Sequence, residues 1–340
     1  MSISIISSGM VTGVGLNAAA SCAAIRTGIT GFVETGFMFD GDWLLGCPVP
    51  LDQPWRGREK LIQMIVSAVQ DCLREFDKID TAKIPLLLCV AEPERPGRLF
   101  GLDQSLLDDV QTRLGKRFAP PSSVIAGGRI GGVQAIAKAR AALAAGWPYC
   151  LIAGADTMLV GETLTAFAER MRLLTADNSD GFIPGEAAGA ILFGPSAAKS
   201  SGRLTCLGIG SGVEKAVETG DPIRGDGLGS AILSAIQDAA IGWRQLDYRI
   251  TDNSGEQSGF KETALALTRI LRERKAEFEI WHPADCIGEV GAATVPCALG
   301  VALAAAEKGY APGPGILCHF GNDDGKRVAV VLRDTADGKR

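Results

Sequence analysis

Residues 177–194 read DNSDGFIPGEAAGAILFG, and they carry the strongest fold signal in the chain. The second half, AGAILFG, is a short uncharged apolar run, which is typical of a strand buried on both faces. The first half is a polar turn whose carboxylates include Asp180 and Glu186, with Gly185 directly before Glu186. The stretch therefore predicts a glycine-rich turn that leads into a strand of the core.

Apolar runs of the same kind alternate with helical segments along the whole chain. The strand-like runs are SISIISSG, KIPLLLCVA, YCLIAGAD, AGAILFG, RLTCLGIGSG, GILCHFG and RVAVVLR. Segments with helical periodicity are LNAAASCAAIRTG, REKLIQMIVSAVQDCLREF, QSLLDDVQTRLGKRF, GGVQAIAKARAALAAG, GSAILSAIQDAAI, KETALALTRILRER and TVPCALGVALAAAEKG. Strands that alternate with helices predict an α/β layered fold.

The composition of the 340-residue chain limits the class of protein it can belong to and the kinds of partner it can bind. With 46% hydrophobic and 21% charged residues, it resembles globular proteins with a sizeable core. A net charge of −5 with mixed signs predicts neither a nucleic acid nor a membrane as a partner. Nine cysteines without a CxxC pair, and an N-terminus unlike a signal peptide, favour a reduced cytoplasmic protein. No metal or dinucleotide motif occurs, so we expect no metal and no cofactor.

Two small-residue segments suggest an internal repeat. One begins at Gly131 with GGVQAIAKARAALAAG and the other at Gly291 with GAATVPCALGVALAAAEKG, an offset of 160 residues. Helices this apolar on all sides suit a buried position where two helices cross closely. Chance similarity of alanine-rich helices and a true duplication both explain the pattern. The linker-like segment PSAAKSSG, 195–202, separates two predicted halves, 1–195 and 203–335.

In chain order, several segments resemble the β-ketoacyl synthase branch of the thiolase superfamily. The block DGFIPGEAAG within 177–194 is the most specific, and residues 7–32 and 151–157 add weaker matches. The resemblance implies a duplicated fold of five αβαβα layers with two central buried helices. It also implies dimerisation through the strand after the nucleophile helix. In such proteins Asp180, Gly185 and Glu186 are expected to have structural roles.

Active members of this family use a cysteine thiolate at the N-terminus of the buried helix, where backbone N–H groups favour an anion. In this chain the corresponding position is Arg129, or lies within 127–129, and contains no cysteine, serine or threonine. A guanidinium stays protonated and is not a nucleophile. We expect the Arg129 side chain to turn outward or to pair with an acid.

The two histidines that the resemblance implies are also absent. The first histidine position falls at Asp252, Asn253 or Ser254, and the second at Glu289 or Gly288. An ionised carboxylate accepts hydrogen bonds only, so Glu289 is a poor substitute for a donor to an oxyanion. With all three positions changed, the chain is predicted to be catalytically degenerate, with no catalytic residue.

A residual pocket is the remaining candidate site. Its candidate residues are Gly127, Gly128, Arg129, His319 and Cys286. His319 with Cys318 or Cys286 is the one new pair of catalytic type that the sequence offers. We interpret His319 and His282, the only histidines, as hydrogen-bonded residues at strand ends instead.

Three functions are compatible with these residues. The first is a non-catalytic ketosynthase-like protein that acts by binding a partner, in the manner of a chain length factor. The partner would be an active ketosynthase or a carrier protein, and the protein would form a homodimer or a heterodimer with a ketosynthase. The second is an accessory protein for a type VI secretion effector. The third is an acyltransferase with a relocated nucleophile such as Cys286 or Cys297, although both cysteines lie in apolar segments typical of a core.

Overall fold

The computed structural model describes residues 1–76, 78–196 and 203–335. Most of the predicted linker, 197–202, therefore lies outside the described residues, and the division into halves at 195–203 stays a prediction. Every long apolar run that the sequence assigns to a strand forms one. Shorter strands and helices add to them.

The strands are β1 (Ile3–Thr12), β2 (Val33–Phe39), β3 (Asp42–Gly46), β4 (Leu86–Val90), β5 (Ser123–Ala126), β6 (Cys150–Thr157), β7 (Glu186–Pro195), β8 (Leu204–Val213), β9 (Tyr248–Thr251), β10 (Ile280–Trp281), β11 (Gly315–Gly321) and β12 (Lys326–Asp334). The helices are α1 (Ala18–Arg26), α2 (Gly57–Cys72), α3 (Gln104–Leu114), α4 (Gly131–Ala144), α5 (Gly161–Glu169), α6 (Ala216–Thr219), α7 (Asp226–Ala239), α8 (Gln257–Ile270), α9 (Ala284–Ile287) and α10 (Thr294–Lys308). In the described part of the chain, no helix is long and apolar enough to cross a membrane.

The main sheet repeats one strand pattern twice. Its order is β5-β4-β6-β7-β1 followed by β8-β12-β11-β9-β10, and the two runs join where β1 pairs with β8 over three residues. In each run the first two pairings from the junction are antiparallel and the next two are parallel. A matching order with matching directions is the topology expected of a duplicated unit.

Helices cover both outer faces and fill the centre. One apolar cluster packs α2 and α3 against the first run of strands, and a second packs α7 and α8 against the other run. The largest cluster contains residues of α4, α10 and both runs of strands. The layers therefore follow the order αβαβα, with α4 and α10 in the middle, which confirms the predicted fold class.

The two central helices begin in the same way. Each follows a turn of 3-10 helix, Gly128–Ile130 before α4 and Gly291–Ala293 before α10. Gly128 and Gly291 open these turns with positive φ values of 55° and 50°. The structural repeat therefore pairs Gly128 with Gly291, an offset of 163 residues. The offset of 160 from the sequence was wrong because it matched glycines at different positions in the two turns.

The strand after α4 does not lie at an edge of the sheet. This strand, β6, pairs with β4 on one side and with β7 on the other. Both rows of its backbone hydrogen-bonding groups are therefore occupied within the chain. The resemblance implies a dimer contact through this strand, and as a pairing of sheet edges that prediction is wrong. The edge strands of the sheet are β5 and β10.

Candidate active site

The site begins at the turn between β5 and α4, where glycine is required. Gly128 has a φ of 55°, and a Cβ atom there would lie 2.3 Å from Glu92 Oε2. Glu92 is fixed in place because Arg95 donates to both of its carboxylate oxygens, at 2.6 and 2.7 Å. Gly128 is therefore kept for close packing and for its left-handed backbone.

Arg129 follows this glycine and points its guanidinium at acids. Its Nη1 donates to Glu289 Oε2 at 3.3 Å, and its Nη2 donates to Asp323 Oδ1. Burial alone would lower the pKa of Arg129, but the charges of Asp323 and Glu289 outweigh burial and hold that pKa well above its usual range. The side chain thus pairs with acids, one of the two arrangements expected from the sequence.

The ion pairs continue beyond Arg129. Arg172 donates to Asp323 Oδ2 at 2.6 Å and to both carboxylate oxygens of Glu256, at 2.8 and 2.7 Å. Arg129 and Arg172 together lower the pKa of Asp323, against the opposing effect of its burial. The turn after β11 is therefore tied to the start of α4 and to the segment after α5. Each of these two guanidiniums already has carboxylate partners.

The end of β9 brings the first histidine position to the same place. Asp252 Oδ2 accepts from Gly321 N at 2.8 Å. Burial raises the pKa of the Asp252 carboxyl to about 6, although the positive charge of Arg129 opposes this shift. Asn253 is 8% exposed, and its Nδ2 has no hydrogen-bond partner among the described residues. Ser254 lies half-buried beside it.

A polar cavity of about 260 Å³ lies in front of these residues. Arg129, Asp252, Asn253, Ser254 and His319 are all among its lining residues. Two of them present buried polar atoms without a partner in the described chain, Asn253 Nδ2 and His319 Nε2. Glu289 contacts Arg129 but lies behind it, 3% exposed.

His319 is not the hydrogen-bonded strand-end residue that we expected. It lies inside β11, with Thr251 and Ala329 beside it on the neighbouring strands, and is 2% exposed. Burial, followed by the charge of Arg249, lowers its pKa to about 3. The ring is therefore neutral at physiological pH, and the strand holds it against the cavity.

The cysteines form no pair with His319. Cys318 precedes it on β11, and consecutive strand residues point to opposite faces. Cys286 lines a separate cavity with Trp281 and Val301, so the sequence-based grouping of Cys286 with Arg129 and His319 is corrected. All nine cysteines are buried free thiols, and burial raises the pKa of each.

Asp180 and Glu186 of the 177–194 stretch lie apart and hold different elements. Glu186, 4% exposed, accepts from Val49 N at 3.0 Å and from Thr157 Oγ1 at 2.8 Å, and it pairs with Lys60. These contacts join the start of β7 to the segment after β3 and to α2. Its negative charge is neutralised within the fold.

Asp180 and Gly185 act on the backbone around the site. Asp180 Oδ1 accepts from Gln257 N at 2.7 Å, at the first residue of α8. Gly185 N donates to Glu289 O at 2.9 Å, and a Cβ at Gly185 would lie 2.2 Å from Ile287 O. Gly185 thus allows the segment directly before β7 to approach the segment that carries Glu289.

Sequence reasoning missed the rest of the ion-pair network around Arg129 and Glu289. Asp323, Arg172 and Glu256 lie in three different connecting segments, and no spacing in the sequence relates them. The one available signal is the polar turn NDDG at 322–325, directly after a buried strand. A polar turn at a strand end marks a site, but does not identify which distant charges meet there.

Chemically, this arrangement offers binding groups and no activated nucleophile at the helix start. The group that points from the turn is a paired guanidinium, and Glu289, which the sequence predicts in place of the second histidine, is a carboxylate that pairs with it. The remaining unpaired polar atoms belong to an amide and a neutral imidazole. Such groups hold a polar ligand by hydrogen bonds.

No family model matches the chain, and no curated protein matches it in sequence. Solved structures do match. A chain from the complex of a type II PKS acyl-carrier protein with its ketosynthase bound to the hexaketide has a TM-score of 0.80 at 14% identity, over 98% of this chain and 99% of that chain.

Two further similar structures come from ketosynthase and chain length factor pairs. The ishigamide ketosynthase/chain length factor matches with a TM-score of 0.73 at 18% identity, over 98% of this chain and 99% of that chain. A ketosynthase in complex with its chain length factor from Xenorhabdus doucetiae matches with a TM-score of 0.74 at 13% identity, over 98% of each chain. The chain therefore has the fold of these ketosynthase and chain length factor structures.

Proposed function

We propose that this protein is a non-catalytic ketosynthase-like subunit that acts by binding a partner, in the manner of a chain length factor beside an active ketosynthase. The observation that carries the proposal is the pairing of Arg129 with Glu289 and Asp323. In a decarboxylating Claisen condensation, a thiolate takes the acyl chain and hydrogen-bond donors hold the thioester oxyanion. Here a cation and a carboxylate occupy those positions and neutralise each other.

The cysteines argue against an acyltransferase with a relocated nucleophile. The thiolate is the reactive form of cysteine, and burial in apolar surroundings disfavours it. Cys297 is 1% exposed within α10, and burial raises its pKa above the usual range. Cys286 is 4% exposed, and burial and the charge of Asp285 raise its pKa as well.

The sheet offers an edge for a partner. Within the described residues, β5 pairs with β4 on one side only, so one row of its N–H and C=O groups faces away from the sheet and can pair with another strand. Two of the similar structures are described as pairs of a ketosynthase with a chain length factor, and one contains an acyl-carrier protein. These descriptions support an active ketosynthase as the partner and a carrier protein as a third component.

Co-expression with the ketosynthase encoded nearest to the gene tests the binding role. We expect a heterodimer to co-purify and to elute as one species with the summed mass. The Arg129→Cys variant is the matched control, because it places a cysteine at the predicted nucleophile position at the helix start and leaves the β5 edge intact. A homodimer that binds no such ketosynthase would contradict the proposal.

Intact-mass spectrometry tests the absence of acyl chemistry separately. After incubation with acyl-CoA, acyl-carrier protein or cerulenin, the wild-type mass should stay unchanged. A covalent adduct on any cysteine of the wild type would overturn the non-catalytic assignment, and peptide mapping would name the nucleophile.

A further inference from the structure

A second cavity, unrelated to Arg129, lies between the end of α1, the β10 strand and α10. Its volume is about 500 Å³, and it shares no lining residue with the cavity that contains Arg129. Ile25, Cys286 and Val301 contribute apolar walls. The volume falls in the range usual for pockets that hold small ligands, about 300–1,000 Å³.

Aromatic rings form one side of this cavity in a fixed arrangement. The rings of Trp281 and Tyr310 are stacked, with centroids 6.1 Å apart and an interplanar angle of 28°. Trp281 is held from behind by the buried ring of Tyr248, 4.6 Å away, and its Nε1 donates to Glu279 at 3.1 Å. The polar atom of the indole is therefore engaged within the chain, and Trp281 and Tyr310 both line the cavity.

A single unpaired cation borders the aromatic side. Arg26 lies over the Tyr310 ring, with its guanidinium carbon 4.2 Å from the ring centroid. Within the described residues, its side chain makes no hydrogen bond and no ion pair, unlike Arg129 and Arg172. A guanidinium held over a ring keeps its five N–H donors for an external acceptor, and it matches the geometry of a carboxylate.

The other ionisable groups of the cavity contact each other. His282 Nδ1 lies 2.6 Å from Asp285 Oδ2, and this contact raises the pKa of His282. Asp285 therefore has a partner within the chain. Among the described residues that line the cavity, the charged group without such a partner is Arg26.

We propose that this cavity binds a small amphipathic carboxylate, with its apolar body against Trp281 and Val301 and its carboxylate on Arg26. Apolar walls, an ordered aromatic surface and one unpaired cation are the groups that such an anion requires. The site is separate from the partner surface and from the cavity near Arg129. Its existence therefore does not depend on the proposed binding function.

Indole signals of the ¹⁵N-tryptophan-labelled full chain test the proposal directly. The chain has five tryptophans, so Trp281→Phe assigns the relevant signal by its loss. Octanoate, 1-octanol and octylamine share one apolar body and differ in charge. We expect octanoate to shift the Trp281 signal saturably, 1-octanol to bind about tenfold more weakly, and octylamine to leave the signal unmoved, because a charged hydrogen bond is worth about a factor of ten.

Two arginine variants complete the test. Arg26→Gln should weaken octanoate binding about tenfold, to the level of 1-octanol, while the other four indole signals report an unchanged fold. Arg244→Gln is the matched control, because Arg244 lies outside the cavity in a surface pair with Glu273. Equal shifts from octanoate and octylamine, no shift from any probe at millimolar concentration, or equal octanoate affinity in the two variants would each overturn the proposal.

Discussion

Arg129 is the ion-pair partner of Glu289, a carboxylate buried at the centre of the protein. Glu289 is 3% exposed, and apart from Arg129 its carboxylate is held by the Gly291 N–H, 2.9 Å from Oε1. Replacing Arg129 with an uncharged side chain of similar length leaves this buried carboxylate without a counter-charge. Removal of one partner from a buried pair costs about 3 kcal/mol or more.

We therefore expect Arg129→Met to lower the free energy of unfolding by about 3 kcal/mol at pH 7, measured by chemical denaturation. Adding Glu289→Gln should restore part of the loss, because the amide oxygen still accepts from Gly291 N while the buried charge is gone. Arg244→Met, in the exposed pair with Glu273, should cost less than about 1 kcal/mol. Equal losses in the two arginine variants would refute this account of Arg129.

His319 and Asp252 should make opposite contributions to the pH dependence of stability. The folded pKa of His319 is about 3, so the unfolded chain binds a proton near pH 6.5 that the folded chain does not. Stability from His319 is therefore complete above its unfolded pKa and is lost as the pH falls. Asp252 has a folded pKa of about 6, so the folded state gains the proton first and acidification from pH 7 to 5 stabilises it.

Between pH 7 and pH 5, linkage gives a loss of about 2 kcal/mol from His319 and a gain of about 1 kcal/mol from Asp252. His319→Gln should therefore lose less stability than the wild type over this interval, and Asp252→Asn should lose more. Denaturant titrations at the two pH values measure both differences. If the free energy of unfolding changed equally between the two pH values in all three proteins, neither group would titrate as its surroundings imply.

At the scale of elements, the crossing of α4 and α10 depends on one missing side chain. A Cβ atom at Gly132 would lie 2.5 Å from Val295 Cβ, so these two helices approach closely only because Gly132 has none. Overfilling such a contact moves helix backbones apart and costs about 1–3 kcal/mol. This cost exceeds the gain that alanine usually brings to a helix.

Gly132→Ala should thus be destabilising by about 1–3 kcal/mol in thermal or chemical unfolding. In the Val295→Ala background the same change should cost little, because the opposing side chain has been shortened. Gly161→Ala serves as the control, since a Cβ there meets only Phe37 at an ordinary 3.7 Å. If Gly132→Ala were as harmless as Gly161→Ala, the close crossing would be wrong.

The same elements show how far sequence patterns reach. Long uncharged runs such as 186–195 and small-residue helices such as 294–308 have one favourable environment, the core, and the sequence predicted both. The strands β5, β9 and β10 have four residues or fewer, too short for periodicity to separate them from loops. The acid partners of Arg129 lie about half the chain away, and only the tertiary fold brings them to it.

At the scale of the whole molecule, the repeated strand order builds the core and the site from the same two runs of strands. Each half supplies five strands and one central helix, and the turns before the two helices meet at the centre. The packing of this centre depends on glycines and apolar residues, whereas catalysis depends on a few polar side chains. The polar positions can therefore change while the fold and its outer surfaces persist.

The proposed heterodimer depends on the β5 edge of the sheet. Lysines on an edge strand disfavour pairing with another strand because their charges must be desolvated. Ser123 and Ala126 lie at the two ends of β5, half-buried and exposed respectively. The double variant Ser123→Lys/Ala126→Lys should abolish co-elution with the ketosynthase partner in size-exclusion chromatography with light scattering, and leave the thermal midpoint within a few degrees.

Val33→Lys/Met38→Lys adds the same charge to the separate β2–β3 sheet, at side chains 48% and 55% exposed, and should leave the complex intact. Loss of the complex in the second variant and not in the first would place the partner on the hairpin and remove β5 from the interface.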